Sequence, residues 1–178
     1  MKRLVLLLVA FISLLSCSDD NATSTYSRRE HVYCYFSVLQ YAELFHVMGN
    51  YGQYASIRKH VVNGATKITM TSQSSSTDYI VDALSTGFAF GLGGLIVGTN
   101  NFGEARCYDL SCPICDRADR RLSLSDKGYA KCGKCGTTYD MNNDGAIYKI
   151  AEGASLTNPR GLYRYRIRYD GQIVNAYN

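Results

Sequence analysis

Short apolar runs rich in β-formers recur along this chain, separated by turn residues. The run "HVYCYFSVLQ" (31–40) reads as a strand apolar or aromatic on both faces. "YASIRKHVV" (54–62) and "TKITMTS" (66–72) read as strands on either side of the turn "NGA", and "GGLIVGT" (93–99) as a short buried strand. "EARCYDLSC" (104–112) is a strand leading into a cysteine pair, and "RRLSLSDKGYAKC" (120–132) a hairpin turning at Asp126-Lys127-Gly128. "TTYDMNNDGAIYK" turns at Asn143-Asp144-Gly145. The strongest pattern is "LYRYRIRYDGQIVNAY" (162–177). Tyr163, Tyr165, Ile167 and Tyr169 form one face, and Leu162, Arg164, Arg166 and Arg168 the other. Asp170-Gly171 then supplies a two-residue hairpin turn. No stretch of eleven or more residues keeps a 3.6-residue period, and "DYIVDALST" (78–86) is the best helix candidate. "SQSSST" (72–77) reads as a mobile loop. With prolines only at Pro113 and Pro159, the chain reads as an antiparallel all-β protein.

The N-terminus breaks this pattern. Lys2 and Arg3 precede an apolar run from Leu4 to Leu15, too short for a bilayer span and of signal-peptide length. It ends in "LLSC" (14–17), which resembles the lipobox of bacterial lipoproteins. That resemblance implies a signal peptide at 1–16, an acylated Cys17 as mature N-terminus, and a polar tether at 17–30. The β domain is then 31–178. The anchor would place the protein in a bacterial cell envelope, on the outer membrane, with the membrane as a partner through lipid. Removing Lys2 and Arg3 lowers the net charge from +4 to +2, so nothing marks the mature chain as a nucleic-acid binder. The remaining 162 residues suffice for one domain whose core needs no disulfide staples.

The chemistry lies in "CPICDRADRRLSLSDKGYAKCGKCG" (112–136). Cys112/Cys115 and Cys132/Cys135 are two C-x-x-C pairs with sixteen residues between them, a zinc-site spacing. Each C-x-x-C turn brings two sulfurs to one point, and two facing turns close a tetrahedral S₄ site. Gly133 and Gly136 suit such tight turns, Pro113 stiffens the first, and the intervening hairpin brings the two together. S₄ accepts zinc, mononuclear iron or an all-cysteine [2Fe–2S] cluster, while an oxidising compartment leaves disulfides or bare thiols as alternatives. Cys34 and Cys107 each fall in a strand, as buried thiols or as a structural disulfide between strands. The glycine run "GFAFGLGGLIVG" lacks the lysine and hydroxyl ending of a phosphate loop. No catalytic constellation stands out, and a closed S₄ metal leaves no position for substrate. The arginines at 164, 166 and 168 read as a solvated strand face.

"RCYDLSCPICD", "AKCGKCGTTYDMNNDGAIYK" and "GLYRYRIRYDGQIVNAYN", in that order, resemble a Rieske-fold domain, and "FGLGGLIVG" (90–98) is similar to a strand of lipid-anchored Rieske-like proteins. The resemblance implies an antiparallel sandwich or barrel with a metal-binding lobe, here at 107–140. A Rieske centre takes two histidines and two cysteines. Here the ligand positions read C-P-I-C and C-G-K-C, and His31, His46 and His60 lie far upstream. The resemblance therefore implies a lobe converted to a rubredoxin-like or zinc-ribbon-like four-cysteine site. Three functions follow: a structural or binding module held by zinc, an electron carrier using iron, or a dithiol redox protein.

Overall fold

Strand parity decides which side chains share a core, and in this protein it builds two cores back to back. A computed structural model describes residues 27, 30–151 and 159–178. The strands are β1 (Val32–Ser37), β2 (Gln53–Val62), β3 (Ala65–Thr71), β4 (Ser76–Ile80), β5 (Ala89–Phe90), β6 (Leu95–Thr99), β7 (Ala105–Asp109), β8 (Leu122–Leu124), β9 (Tyr129–Cys132), β10 (Thr138–Asp140), β11 (Ala146–Lys149), β12 (Arg164–Tyr169) and β13 (Ile173–Tyr177). One helix, α1 (Ala42–Gly49), follows β1. The larger sheet runs β4-β3-β2-β6-β7-β12-β13-β1-β5, and a smaller one runs β11-β10-β9-β8. Every pairing is antiparallel, as the all-β reading expects.

Ala55 and Ile57 of β2, Leu95 and Val97 of β6 and Cys107 of β7 share one core with Val32, Cys34 and Phe36 of β1. Strands distant in the order thus meet, so the larger sheet folds over on itself. The residues of opposite parity, Tyr54, Ile96 and Tyr108, point the other way into a second core with Leu122, Ala130, Tyr139 and Met141 of the smaller sheet. The middle of the sheet is therefore covered on both faces, and β6 is buried throughout. Gly98 sits within β6 because a Cβ there would lie 2.1 Å from the Gln53 carbonyl. The smaller lobe differs from the expected 107–140. β7 belongs to the larger sheet, since Cys107 faces the main core, and the lobe's sheet continues through β11 to Lys149.

The turns follow local chemistry, with one shift. Asn63 and Gly64 both have positive φ, 51° and 77°, and close β2–β3 as a two-residue turn. In the last hairpin Tyr169 pairs with Val174, so Gly171-Gln172, not Asp170-Gly171, form the centre. Gly171 alone among these residues has positive φ, 97°, and the Asp170 carboxylate accepts from the Gln172 and Ile173 amides at 2.9 and 2.7 Å. The expected helix at 78–86 is absent: β4 ends at Ile80, paired with Lys67, and a single 3₁₀ turn spans Ser85–Gly87. The run 72–77 is a tight turn whose last residues open β4, with the Ser72 amide donating to the Ser75 carbonyl at 2.9 Å. Within the segment expected as tether, the Ser27 amide donates to the Arg164 carbonyl at 2.8 Å, which ties residue 27 to β12.

Helix α1 buries Leu44, Val47 and Met48 on one face, and its Glu43 is fully buried. The Glu43 carboxylate accepts from Ser75 Oγ (3.0 Å), Thr77 Oγ1 (2.6 Å) and Tyr79 Oη (2.7 Å), tying the helix to the β3–β4 hairpin. Burial raises its pKa, but the Thr77, Tyr79 and Ser75 hydrogen bonds outweigh that and hold it below 4.5. A depressed folded pKa gives stability that is present above the unfolded value and lost as pH falls through the folded one. Stability should therefore drop on acidification below pH 4.5, and Glu43→Gln should remove this part of the dependence in urea titrations across pH.

Candidate metal centre

Two equivalent turns face each other. In the first, the Asp116 amide donates to the Cys112 carbonyl at 2.8 Å; in the second, the Gly136 amide donates to the Cys132 carbonyl at 3.0 Å. The residue after each pair is left-handed, with φ of 53° at Asp116 and 71° at Gly136. Asp116 tolerates this conformation as a short polar residue, and its Oδ1 accepts from Tyr163 Oη at 3.1 Å. Gly136 is required twice over, because a Cβ would also lie 2.7 Å from Ala151 Cβ. Gly133 has neither positive φ nor a crowded Cβ position, so only one of the two glycines the sequence singles out is needed. Between the pairs, β8 and β9 form the expected hairpin, with Gly128 at φ 74° in its turn.

The four sulfurs converge. Cys112 Sγ and Cys135 Sγ are 3.6 Å apart, Cys115 Sγ and Cys132 Sγ 3.8 Å, and all four lie within 4.8 Å of one another. A tetrahedron with Zn–S bonds of about 2.3 Å has edges of roughly 3.8 Å, whereas a disulfide needs about 2.05 Å. All four are free thiols. No histidine or carboxylate joins the cluster among the described residues. The arrangement suits a soft, tetrahedral metal held by sulfur alone.

Its surroundings sort the thiols. Cys112 and Cys132 are buried, while Cys115 and Cys135 are half-buried at the lobe's surface. Burial pushes the Cys112 thiol up, against hydrogen bonds from Tyr139 and from the Cys115 and Ile114 amides. Burial and the neighbouring cysteines push Cys115 up to about 11. Burial also acts on Cys135, but the Thr137 hydroxyl and amide, with the other thiols, bring it down to about 7. Thr137 Oγ1 is 3.3 Å from Cys135 Sγ and Tyr139 Oη 3.5 Å from Cys112 Sγ, placed to donate to thiolates.

The lobe is bolted to the larger sheet. Tyr54 Oη and Tyr108 Oη donate to the Met141 carbonyl at 2.9 and 3.0 Å. Arg106 Nε and Arg164 Nη1 each donate to Asp144 Oδ1 at 2.9 Å, so the first arginine of the stripe serves this junction, while Arg166 and Arg168 are exposed. Asp109, three residues before Cys112, is the group the sequence reading missed. Its buried carboxylate accepts from the Leu92, Gly93 and Ser111 amides (2.7, 3.0 and 2.7 Å) and from Tyr165 Oη (2.8 Å). The glycine run is thus a nest of amides around an anion, and the anion is the protein's own. A Cβ on Gly91 would lie 2.4 Å from Asp109 Oδ2, which explains the glycine. The run itself was the available signal, since a loop of bare amides needs an acceptor.

Cys34 and Cys107 lie in the main core, apart from the four-cysteine cluster, as free buried thiols without a bridge. Burial raises Cys34 to about 12 and raises Cys107 too, so both are protonated and inert near neutral pH. Cys17 and the signal segment lie outside the described residues. Among the described residues no helix is long and apolar enough to cross a membrane. Comparison with protein-family models, curated proteins and solved structures found no match.

Proposed function

We propose that Cys112, Cys115, Cys132 and Cys135 hold one zinc ion, and that the metal is a structural element of a Rieske-like, lipid-anchored module of the bacterial cell envelope. The observation that carries the metal is the convergence of four sulfurs within 4.8 Å between two equivalent turns. Four thiolates fill the coordination sphere of zinc, so the ion holds the lobe together and activates no substrate. The Rieske-like part rests on the order of the sequence motifs, supported by terminal strands β1 and β13 that pair with each other around an inserted four-stranded lobe. The anchor rests on the 1–17 segment. A second reading, electron transfer through rubredoxin-like iron, draws support from Cys115 and Cys135, which bring the edge of the site to the surface.

Elemental analysis of protein purified from native membranes separates these readings. Zinc gives a colourless protein with one metal per chain, iron a red one, and metal-free protein with disulfides overturns both. Mass spectrometry of the native N-terminus should find diacylglyceryl-modified Cys17; a free Ser18 or intact Met1 would refute the anchor. Proton release is a further expectation. With Cys112 raised and Cys115 at about 11, both thiols are protonated in the metal-free protein at pH 7. Zinc binding must displace those protons, so affinity should rise with pH. Calorimetry in buffers of different ionisation enthalpy measures the release, and none at pH 7 would show that the thiolates are not the ligands.

A further inference from the structure

A cleft of about 570 Å³ opens where the lobe meets the larger sheet, with the β8–β9 hairpin as one wall and β2 and the β3–β4 turn as the other. Its size lies in the range of small-molecule sites, about 300–1,000 Å³. Its lining is mixed, with Leu110, Leu122 and Leu124 beside polar side chains, and holds two arginines, Arg58 and Arg121. Both belong to the same spot: Arg58 Cγ lies 3.1 Å from where a Gly94 Cβ would stand, and Arg121 Nε donates to the Gly93 carbonyl at 2.8 Å. The half-buried Arg58 guanidinium has no hydrogen-bond or ion-pair partner among the described residues, and Arg121 commits only its Nε. Two arginines lining one cleft beside Gly93-Gly94, with no carboxylate bonded to either among the described residues, leave an arrangement that an oxyanion would complete. The one carboxylate at the cleft, Asp126, is at the hairpin tip and exposed.

The rest of the lining indicates what the anion is attached to. Ser56 lies on the same face of β2 as Arg58, two residues away, and is paired across the sheet with Thr71. Ser56 Oγ has no partner among the described residues, and Gln73 adds an amide at the turn. Hydroxyls and an amide around a cationic end suit a polyhydroxylated ligand. We infer that this cleft binds a carbohydrate bearing a phosphate or a carboxylate group, its oxyanion held by Arg58 and Arg121 and its hydroxyls by Ser56, Thr71 and Gln73. The site does not depend on the identity of the metal, although the β8 wall lies between the two cysteine pairs.

Amide chemical shifts of the full mature chain, titrated with glucose 6-phosphate, glucuronate and glucose, test this. Saturable shifts at β2, β8 and the β3–β4 turn are expected with one or both anionic sugars, and which of the two acts identifies the anion. Glucose should bind roughly tenfold or more weakly. Arg58→Gln, which breaks no hydrogen bond or ion pair among the described residues, should weaken the anionic sugar roughly tenfold with an unchanged melting temperature. Arg121→Gln should do the same, its folding checked separately because it loses the Gly93 contact. The inference is overturned if neither anionic sugar gives a saturable shift up to about 10 mM, if glucose binds equally well, or if Arg58→Gln binds like wild type. Metal content measured on the same samples keeps a failed cleft distinct from a failed metal site.

Discussion

Cys132→Ser is expected to abolish metal binding and unfold the lobe while the larger sheet stays folded. The lobe's strands are three or four residues long, too short to be stable by themselves. Its core is a handful of side chains, each worth about 1.5–3 kcal/mol when buried. Ordering the segment costs about 1.5 kcal/mol per residue, which offsets that gain. On the zinc reading proposed above, the metal would supply about 10–16 kcal/mol, as structural zinc does in small domains, and tip the balance. Serine cannot replace a thiolate, so the whole metal contribution is lost at once. Amides of β8, β9 and β10 should then lose roughly 3 kcal/mol or more of protection in hydrogen exchange.

The back-to-back cores refine that expectation. Tyr54, Ile96 and Tyr108 lose their cover when the lobe opens, and the two tyrosine hydroxyls lose the Met141 carbonyl. Amides of β2, β6 and β7 should therefore weaken by about 1–3 kcal/mol. The β1–β13 ladder shares no residue with the lobe core and should change by less than about 1 kcal/mol. Metal retained together with full protection of β8–β10 would show that the sulfurs converge for another reason.

The four-cysteine cluster was legible because its signal is local. Each pair spans one turn, and a turn brings i and i+3 together wherever it stands in a fold. The two-residue turn at Asn63-Gly64 and the strands around it were legible on the same ground. Helix α1 was not: eight residues give two turns, shorter than the window in which a 3.6-residue period emerges, and Phe45 is exposed on its outer face. At 78–86 the local pattern suggested helix, but the open edge of β3 offered backbone partners to residues 76–80 and won. The Asp170-Gly171 turn slipped by one residue because Asp170 caps the loop from its side chain instead of standing at its centre. Asp109 was invisible for a different reason. Its partners Leu92, Gly93 and Tyr165 lie sixteen to fifty-six residues away, so nothing next to "CYDLSC" announces them.

That same residue should give the largest effect outside the metal site. Asp109→Ala removes the acceptor of three amides and one hydroxyl at a fully buried position. Each buried donor left unpaired costs about 1–3 kcal/mol, and water reaching the cavity recovers part of it. A loss of about 3–5 kcal/mol is expected, against a total stability of about 5–15 kcal/mol for an ordinary domain. Asp109→Asn keeps the shape but turns an amide N–H₂ toward groups that are themselves donors, so about 1–3 kcal/mol should go. Tyr165→Phe deletes one donor and leaves the amides paired, at a cost of about 1–2 kcal/mol. The damage should also reach the metal site, because Ser111, whose amide the carboxylate holds at 2.7 Å, directly precedes Cys112. Urea unfolding of the three variants measures the series, and metal release to a chelator measures the reach. Asp109→Ala within about 1 kcal/mol of wild type, with unchanged metal release, would mean that the glycine loop is held by its sterics alone and that the cradle is incidental.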